Sequence, residues 1–375
     1  MFFRNEIRKV LRFPLFWVMI AACTGFNIFL IADGMSYERI GIQAINEYVR
    51  TGNVPSYDEY NVCVNYDEVK ESAYDQYYRD FDIMDFKSRV EKTFVDPNSD
   101  AAQKIIDRNY QKAAARVDEI RQDGEAFDSY YPGTTFSLHM YLYENVFMIL
   151  LFELAVTACF MTAYLMKYEE FYDTHHNVYA SKVGRAIVFS KALASVAASA
   201  LAAGIIITVT VACFLIVLPQ SWNFLQSSVS AAMATEYRGG QYQYPFITWE
   251  RMSQLDYLLR VCVLAVGYAV TASLMTFVLS FVSKNAYVNA VLTALVYFGL
   301  FVALMALPNT NLFGFVLMFT PTAGMLNVPV WFMEYILNPY ASYPGYETGV
   351  CLVWQLLGVA ATVPLWRYFK MKSIN

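Results

Sequence analysis

Side chains able to do covalent or metal chemistry are sparse in this 375-residue chain. The histidines are His139, His175 and His176, and no HExxH or CxxC spacing gathers ligands for a metal. Cys23, Cys159, Cys213, Cys262 and Cys351 lie inside apolar runs, where a thiol behaves as a small hydrophobe. Cys63 stands in a polar segment without a second cysteine, so no disulfide framework is expected. No glycine-rich loop ending in Lys-Ser or Lys-Thr is present to cradle a nucleotide's phosphates. Between Asp33 and His139 there are 21 acidic and 12 basic residues, but no nucleophile is paired with a base. The expectation is a chain that is not an enzyme and holds neither cofactor nor metal itself.

Two features do carry a functional signal. Glu153 sits in the middle of the apolar run FMILLFELAVTACFM, where an ionised carboxylate is costly and usually faces a bundle interior or a water-filled cavity. It reads either as a polar contact in a substrate path or subunit interface, or as a carboxyl that pins helix packing through Thr157, Thr208 or a backbone carbonyl. The second feature is the segment Lys167–Lys191, KYEEFYDTHHNVYASKVGRAIVFSK. Tyr168, Phe171, Tyr172, His175 and Tyr179 fall near one side of a helix there, a surface suited either to a groove on a partner protein or to lipid headgroups.

The elements that would position these residues are set by composition. Hydrophobic residues make up 57% of the chain and charged residues 16%, more apolar than the roughly 45–50% and 25% of a soluble domain. The excess is gathered into runs near the ~20 residues that cross a bilayer. These predict an all-α integral membrane protein with six transmembrane helices: Pro14–Ala32, Leu142–Met166, Ala186–Leu218, Tyr257–Val282, Tyr287–Leu307 and Glu347–Trp366. Residues 1–13 read as a short amphipathic helix, with Phe3, Ile7, Val10 and Leu11 on one side and Arg4, Arg8, Lys9 and Arg12 largely on the other. Ile20-Ala21-Ala22-Cys23 looks like a lipoprotein cleavage site, but the apolar run continues through Ile31, which favours an uncleaved span. Residues 33–140 form a polar, mainly helical domain between spans one and two, with helical patterns over Asp67–Lys92 and Asn98–Asp128. Residues 141–375 hold spans two to six, and within them residues 308–346 break into short apolar pieces that suit re-entrant helices.

Lys and Arg placement sets the orientation. Arg4, Arg8, Lys9, Arg12, Lys167, Lys182, Arg185, Lys191, Lys284, Arg367, Lys370 and Lys372 all fall on one side, whereas the opposite loops carry Arg238 and Arg251. Both termini are therefore expected in the cytoplasm of a cell membrane protein, with the acidic domain outside, where it favours cationic ligands. Arg260, near the outer end of span four, is expected at a headgroup or paired with Glu144.

Glu170, Thr174, Gly184-Arg185 and Lys191 resemble the coupling segment that follows span two in ABC exporter permeases of the second class, the type-2 exporter permease family. Glu6, Lys9, Arg12 and Pro14 resemble that family's connecting helix. Asp173 stands where glycine is usual before the threonine, and Val183-Gly184 where Pro-Ser is common. The resemblance implies a permease subunit moving a hydrophobic or amphiphilic substrate such as a peptide, antibiotic or lipid. It also implies a second permease subunit, same or related, and separate cytosolic ATPase subunits that carry ATP and Mg. Glu169, Glu170, Tyr172, Thr174, His175, Arg185 and Lys191 would couple to the ATPase, with Glu6, Lys9 and Arg12 levering span one. Membrane lipid is a further partner, and no nucleic acid is expected. The rival reading is a membrane sensor or immunity protein whose outer domain binds a ligand without transport.

The orientation has a direct check. A cysteine introduced at Asp82 or Asn98, in a Cys63→Ser background, should react from outside the cell with a membrane-impermeant thiol reagent. Reaction only after permeabilisation would reverse the assigned sides.

Overall fold

The computed structural model describes residues 2–37, 82–94, 100–123, 138–180, 187–218, 221–230, 247–283, 285–306, 316–334 and 343–371. Within them the regular structure is helical: α1 (Phe2–Leu11), α2 (Pro14–Tyr37), α3 (Ile83–Phe94), α4 (Asp100–Asp123), α5 (Leu138–Met166), α6 (Tyr168–Phe171), α7 (His175–Ala180), α8 (Ile187–Val217), α9 (Ser221–Gln226), α10 (Gln254–Ser280), α11 (Ala286–Ala306), α12 (Pro321–Leu326) and α13 (Tyr346–Met371). Two isolated bridges, Ser228 with Ser253 and Thr248 with Met333, tie loops together. Among the described residues six helices, α2, α5, α8, α10, α11 and α13, are long and apolar enough to cross a membrane, an architecture compatible with a multi-pass membrane protein.

Their packing is what a bilayer selects. About two thirds of the apolar stretch of α5 (67%) and of α10 (61%) is inside the structure, against 17% for α11 and for α13, so α5 and α10 are the spine and the rest surround it. On α11 the buried residues are Asn289, Thr293 and Tyr297, one per turn, while Val291, Leu295, Phe298 and Met305 face outward. Water would not tolerate that inverted pattern, but hydrocarbon does, since lipid tails solvate Leu and Phe and leave polar groups to the interior. Thr162 and Ser273 hydrogen-bond at 2.8 Å between the spine helices.

Close approach is built from small residues. A Cβ on Gly34 would lie 1.9 Å from the Tyr141 ring, so only glycine lets α2 meet α5 there. The Tyr141 hydroxyl donates across the same contact to the Leu30 carbonyl. Tyr141 opens a π-helical turn, Tyr141–Phe147, which turns Leu142, Tyr143, Val146 and Phe147 all inward. Gly324 has the same role at α12, where a Cβ would lie 2.0 Å from the Tyr268 hydroxyl. Trp331, 1% exposed, stacks on Tyr268 and donates to the Gly324 carbonyl at 2.9 Å.

Helix α5 starts at Leu138, four residues before the span read from hydropathy. The polar His139 is buried, meeting the Gln254 side-chain amide at Nδ1 and the Pro329 carbonyl at Nε2, both at 2.9 Å. Arg260 pairs with Glu250 rather than with Glu144, which is exposed. A capping box between Ser253 and Asp256 starts α10 just after that turn.

The end of the bundle remote from α1 also holds α4. Tyr110 donates to the buried Glu334 carboxylate at 2.9 Å, and Arg116 donates through Nε to the Thr248 carbonyl at 3.1 Å. Burial pushes Glu334 up from 4.5 to about 7, against a smaller opposing effect of the Tyr110 hydrogen bond. A carboxyl whose folded value is raised gives its full stabilisation below its unfolded value and loses it as pH rises through the folded one. The stabilisation that Glu334 gives the contact of α4 with this loop is therefore fully present below 4.5 and is lost as pH climbs through about 7. Amide exchange in residues 100–123, corrected for its intrinsic pH dependence, should be slower at about pH 5 than at about pH 8, and Glu334→Gln should remove the difference. An unchanged difference in that variant would assign it elsewhere.

Candidate functional site

At the other end of the bundle, α1, the exit of α5 and the entry of α8 converge on four charged side chains. Glu169 is 2% exposed and Lys191 1%, and their side chains form an ion pair. Lys191 also donates to the Leu165 carbonyl, the last turn of α5, at 2.6 Å. The other Glu169 oxygen receives Lys9 Nζ at 2.9 Å, and Lys9 reaches Glu6, itself 2% exposed, at 2.6 Å. Two carboxylates and two ammoniums thus alternate in a chain that joins three helices.

The local sequence explains why they meet. α5 ends at Met166, and the short α6 carries Glu169 back under the bundle. Lys191 lies on the first turns of α8, on the same side as the buried Ser195 and Ala198. On α1, Glu6 and Val10 are the buried residues, one turn apart, which places Lys9 beside them. Lys9 Nζ also sits 4.5 Å from the centre of the Tyr168 ring, a cation–π contact that fixes its position further.

Burial pushes the Glu169 carboxyl up, but Lys191 and Lys9 outweigh it and leave the group below the ordinary carboxylate value. Burial pulls Lys9 down, and Glu6 and Glu169 more than restore it. The stabilisation from Glu169 is present above the ordinary carboxylate value and is lost as pH falls through its depressed one. That from Lys9 is lost only as pH rises through its raised value. Glu169 and Lys9 are thus both charged across the neutral range.

The other residues singled out in the segment fall on its exposed side. Glu170 pairs with Lys167 at 3.1 Å, and Tyr172 is half exposed beside Tyr168, their ring centres 4.6 Å apart. Thr174 donates its backbone N–H to the Glu169 carbonyl at 2.8 Å, closing the turn that turns α6 into α7. Asp173 has φ 52°, the left-handed region that favours glycine and that a short Asp side chain tolerates. His175 stacks against His176 and lies 3.7 Å from the Asp173 carboxylate. Arg185 lies outside the described residues. Arg12 is exposed at the end of α1.

Glu153 stands apart from this node, in the middle of α5. Its partner is Asn27 of α2, which donates to it at 2.9 Å, and Cys23 meets Thr157 one turn along at 3.9 Å. Thr157 and Thr208 were the sequence candidates for Glu153; the missed signal was the one asparagine within the first apolar run.

No group of histidine, cysteine and carboxylate side chains able to hold a metal occurs among the described residues. No family model matches the chain, and neither a curated protein nor a solved structure matches it. What the fold defines is an all-helical architecture with six helices, among the described residues, long and apolar enough to cross a membrane, compatible with a multi-pass membrane protein.

The node generates a stability prediction. Lys191→Met leaves a buried carboxylate short of a partner and should cost about 3–5 kcal/mol. Removing both members, in Glu169→Met with Lys191→Met, should cost clearly less than the two single changes added together. Thermal unfolding in detergent measures this, and strictly additive losses would show that the two side chains are not coupled.

Proposed function

We propose that the chain is the permease subunit of an ATP-driven exporter, carrying a hydrophobic or amphiphilic substrate across the membrane with a separate ATPase. The observation that supports this best is the Glu6–Lys9–Glu169–Lys191 node. A partner docked on the exposed Phe171, Tyr172 and Glu170 would push on α6, and α6 is bound to the node. The node in turn grips α1, α5 and α8 at once, so a displacement of α6 cannot be absorbed by one helix. Work done on that surface is delivered to three helices, which is the mechanical requirement of a permease with no nucleotide site of its own. Glu153, held by Asn27 between α2 and α5, lies where relative motion of those helices would break or make a hydrogen bond.

The substrate class is argued from surfaces. An apolar groove of about 190 Å³ opens between α5 and α11, lined by Phe152, Val156, Phe160, Val291 and Tyr297. It faces the surroundings of the bundle, which suits the tail of an amphiphile. At the far end, Arg260 and Glu250 border a larger cavity of about 550 Å³ with Leu259, Val263 and Phe332. One observation favours the sensor reading instead: Tyr110 and Arg116 of α4 bond directly to the loops beside α10 and α13, so a ligand on the acidic domain would act on the bundle without any ATPase.

The two readings separate in one experiment. Under the permease reading an ATPase co-purifies with the native chain, and Glu170→Lys, or Tyr172→Ala with His175→Ala, releases it while the membrane protein stays folded. Loss of a charged interface contact costs about 2–5 kcal/mol, enough to abolish capture at ordinary concentrations. Full ATPase binding and turnover in both variants would mean that the segment does not couple. Absence of any ATPase from the native preparation would favour the sensor.

A further inference from the structure

Beside the node, on the opposite face of α1, a cavity of about 350 Å³ opens between that helix and the exit of α5. One wall is Asn5, Arg8 and Lys9 of α1 with Arg12 just after it; the other is Tyr164 of α5, Tyr168 of α6 and Tyr172 just beyond α6, spaced four residues apart. Phe13 and Pro14 close it on the side of the first apolar helix, where the Phe13 ring stacks on Tyr164 with centroids 3.8 Å apart.

The charges of this cavity do not balance. Among the described residues no carboxylate lines it. Lys9 is engaged with Glu6 and Glu169, but Arg8 and Arg12 are exposed and form no ion pair among the described residues. They stand one turn apart on the same helix face, an arrangement that is unfavourable for like charges until an anion lies between them. Two guanidinium groups give planar, paired N–H donors, the geometry that matches phosphate oxygens. Tyrosine hydroxyls opposite supply further donors, and the Asn5 amide adds another.

We propose that this cavity is a binding site for one phosphate-bearing anionic group, held by Arg8 and Arg12 and capped by Tyr168 and Tyr172. Its place at the start of the first apolar helix puts the group at the level of a phospholipid headgroup, with the acyl chains running along α2. The site is distinct from a diffuse attraction between a basic helix and an anionic surface, because its charges are gathered in a walled cavity. It does not rest on the transport reading: Arg8 and Arg12, which would hold the group, are no part of the coupling surface at Phe171 and Glu170, although Tyr172 borders both.

The test uses the full chain. The unaltered protein is placed in nanodiscs of phosphatidylcholine with and without phosphatidylglycerol, and retained lipid is counted by native mass spectrometry. In parallel, inorganic phosphate is titrated onto delipidated protein and thermal unfolding is followed. Retention of phosphatidylglycerol, weakened about fivefold by Arg8→Gln or Arg12→Gln and about thirtyfold by both, supports a headgroup site. Protection by inorganic phosphate with the same arginine dependence, without lipid retention, supports the site with a soluble anion as its source. Arg4→Gln removes an equal charge from α1 outside the cavity and should leave binding close to that of the unaltered chain. An equal loss in Arg4→Gln, or no binding of either probe by the unaltered protein, would overturn the proposal.

Discussion

Glu169 is a carboxylate that water scarcely reaches, and isolated burial of such a charge costs several kcal/mol. The cost is offset because each oxygen receives its own ammonium, one from α8 and one from α1. Lys191 could not be buried without that carboxylate, and the half-buried Lys9 shares it with Glu6. The three helices therefore have one arrangement at this end in which every charge of the node has a partner. Greasy helices alone lack that selectivity, since apolar side chains pack against lipid nearly as well as against one another. The node supplies register where the hydrophobic effect is weak.

The two ends of the bundle solve the same problem differently. At the α1 end, alternating charges are used. At the far end, aromatic side chains hold the loops: Tyr257 donates to the Val328 carbonyl, Trp331 to Gly324, and Tyr346 to Met318. His139, Tyr143 and Tyr257 form a buried aromatic triangle with centroids 4.6 to 4.9 Å apart. Glu347 at the start of α13 accepts the Phe332 backbone N–H at 2.9 Å, and so anchors the loop that also carries Glu334. Charge fixes one end and directional hydrogen bonding the other, while the middle relies on Thr162 with Ser273, Asn27 with Glu153, and small residues.

The six apolar helices were legible because each is a run of bilayer length, and that signal does not depend on partners. The node was legible only in part. Glu6, Lys9, Glu169 and Lys191 stand out by type, but Lys9 and Glu169 are 160 residues apart, and no local pattern says that they touch. His139 was read as the edge of a polar domain because a lone histidine carries no sign of its partners, here Gln254 and Pro329. Glu334 carries no signal for a related reason: it sits in an interrupted apolar segment, where a carboxylate is unremarkable until the fold buries it. By contrast, the four-residue spacing of Asn289, Thr293 and Tyr297 was present in the sequence and needed only the opposite question, which side is polar, asked of an apolar helix.

That inverted stripe on α11 also governs how unevenly the bundle is held. α11 meets α5 and α10 along a narrow strip, and both polar atoms of the Asn289 amide lack a hydrogen-bond partner among the described residues. Few contacts and an unsatisfied buried amide mark an element at the low end of local stability, whereas α5 and α10 mark the high end. The apolar groove lies along this weakly held seam between α5 and α11, so the seam can part there at the least cost in polar contacts, away from the charged node at one end and the aromatic cluster at the other.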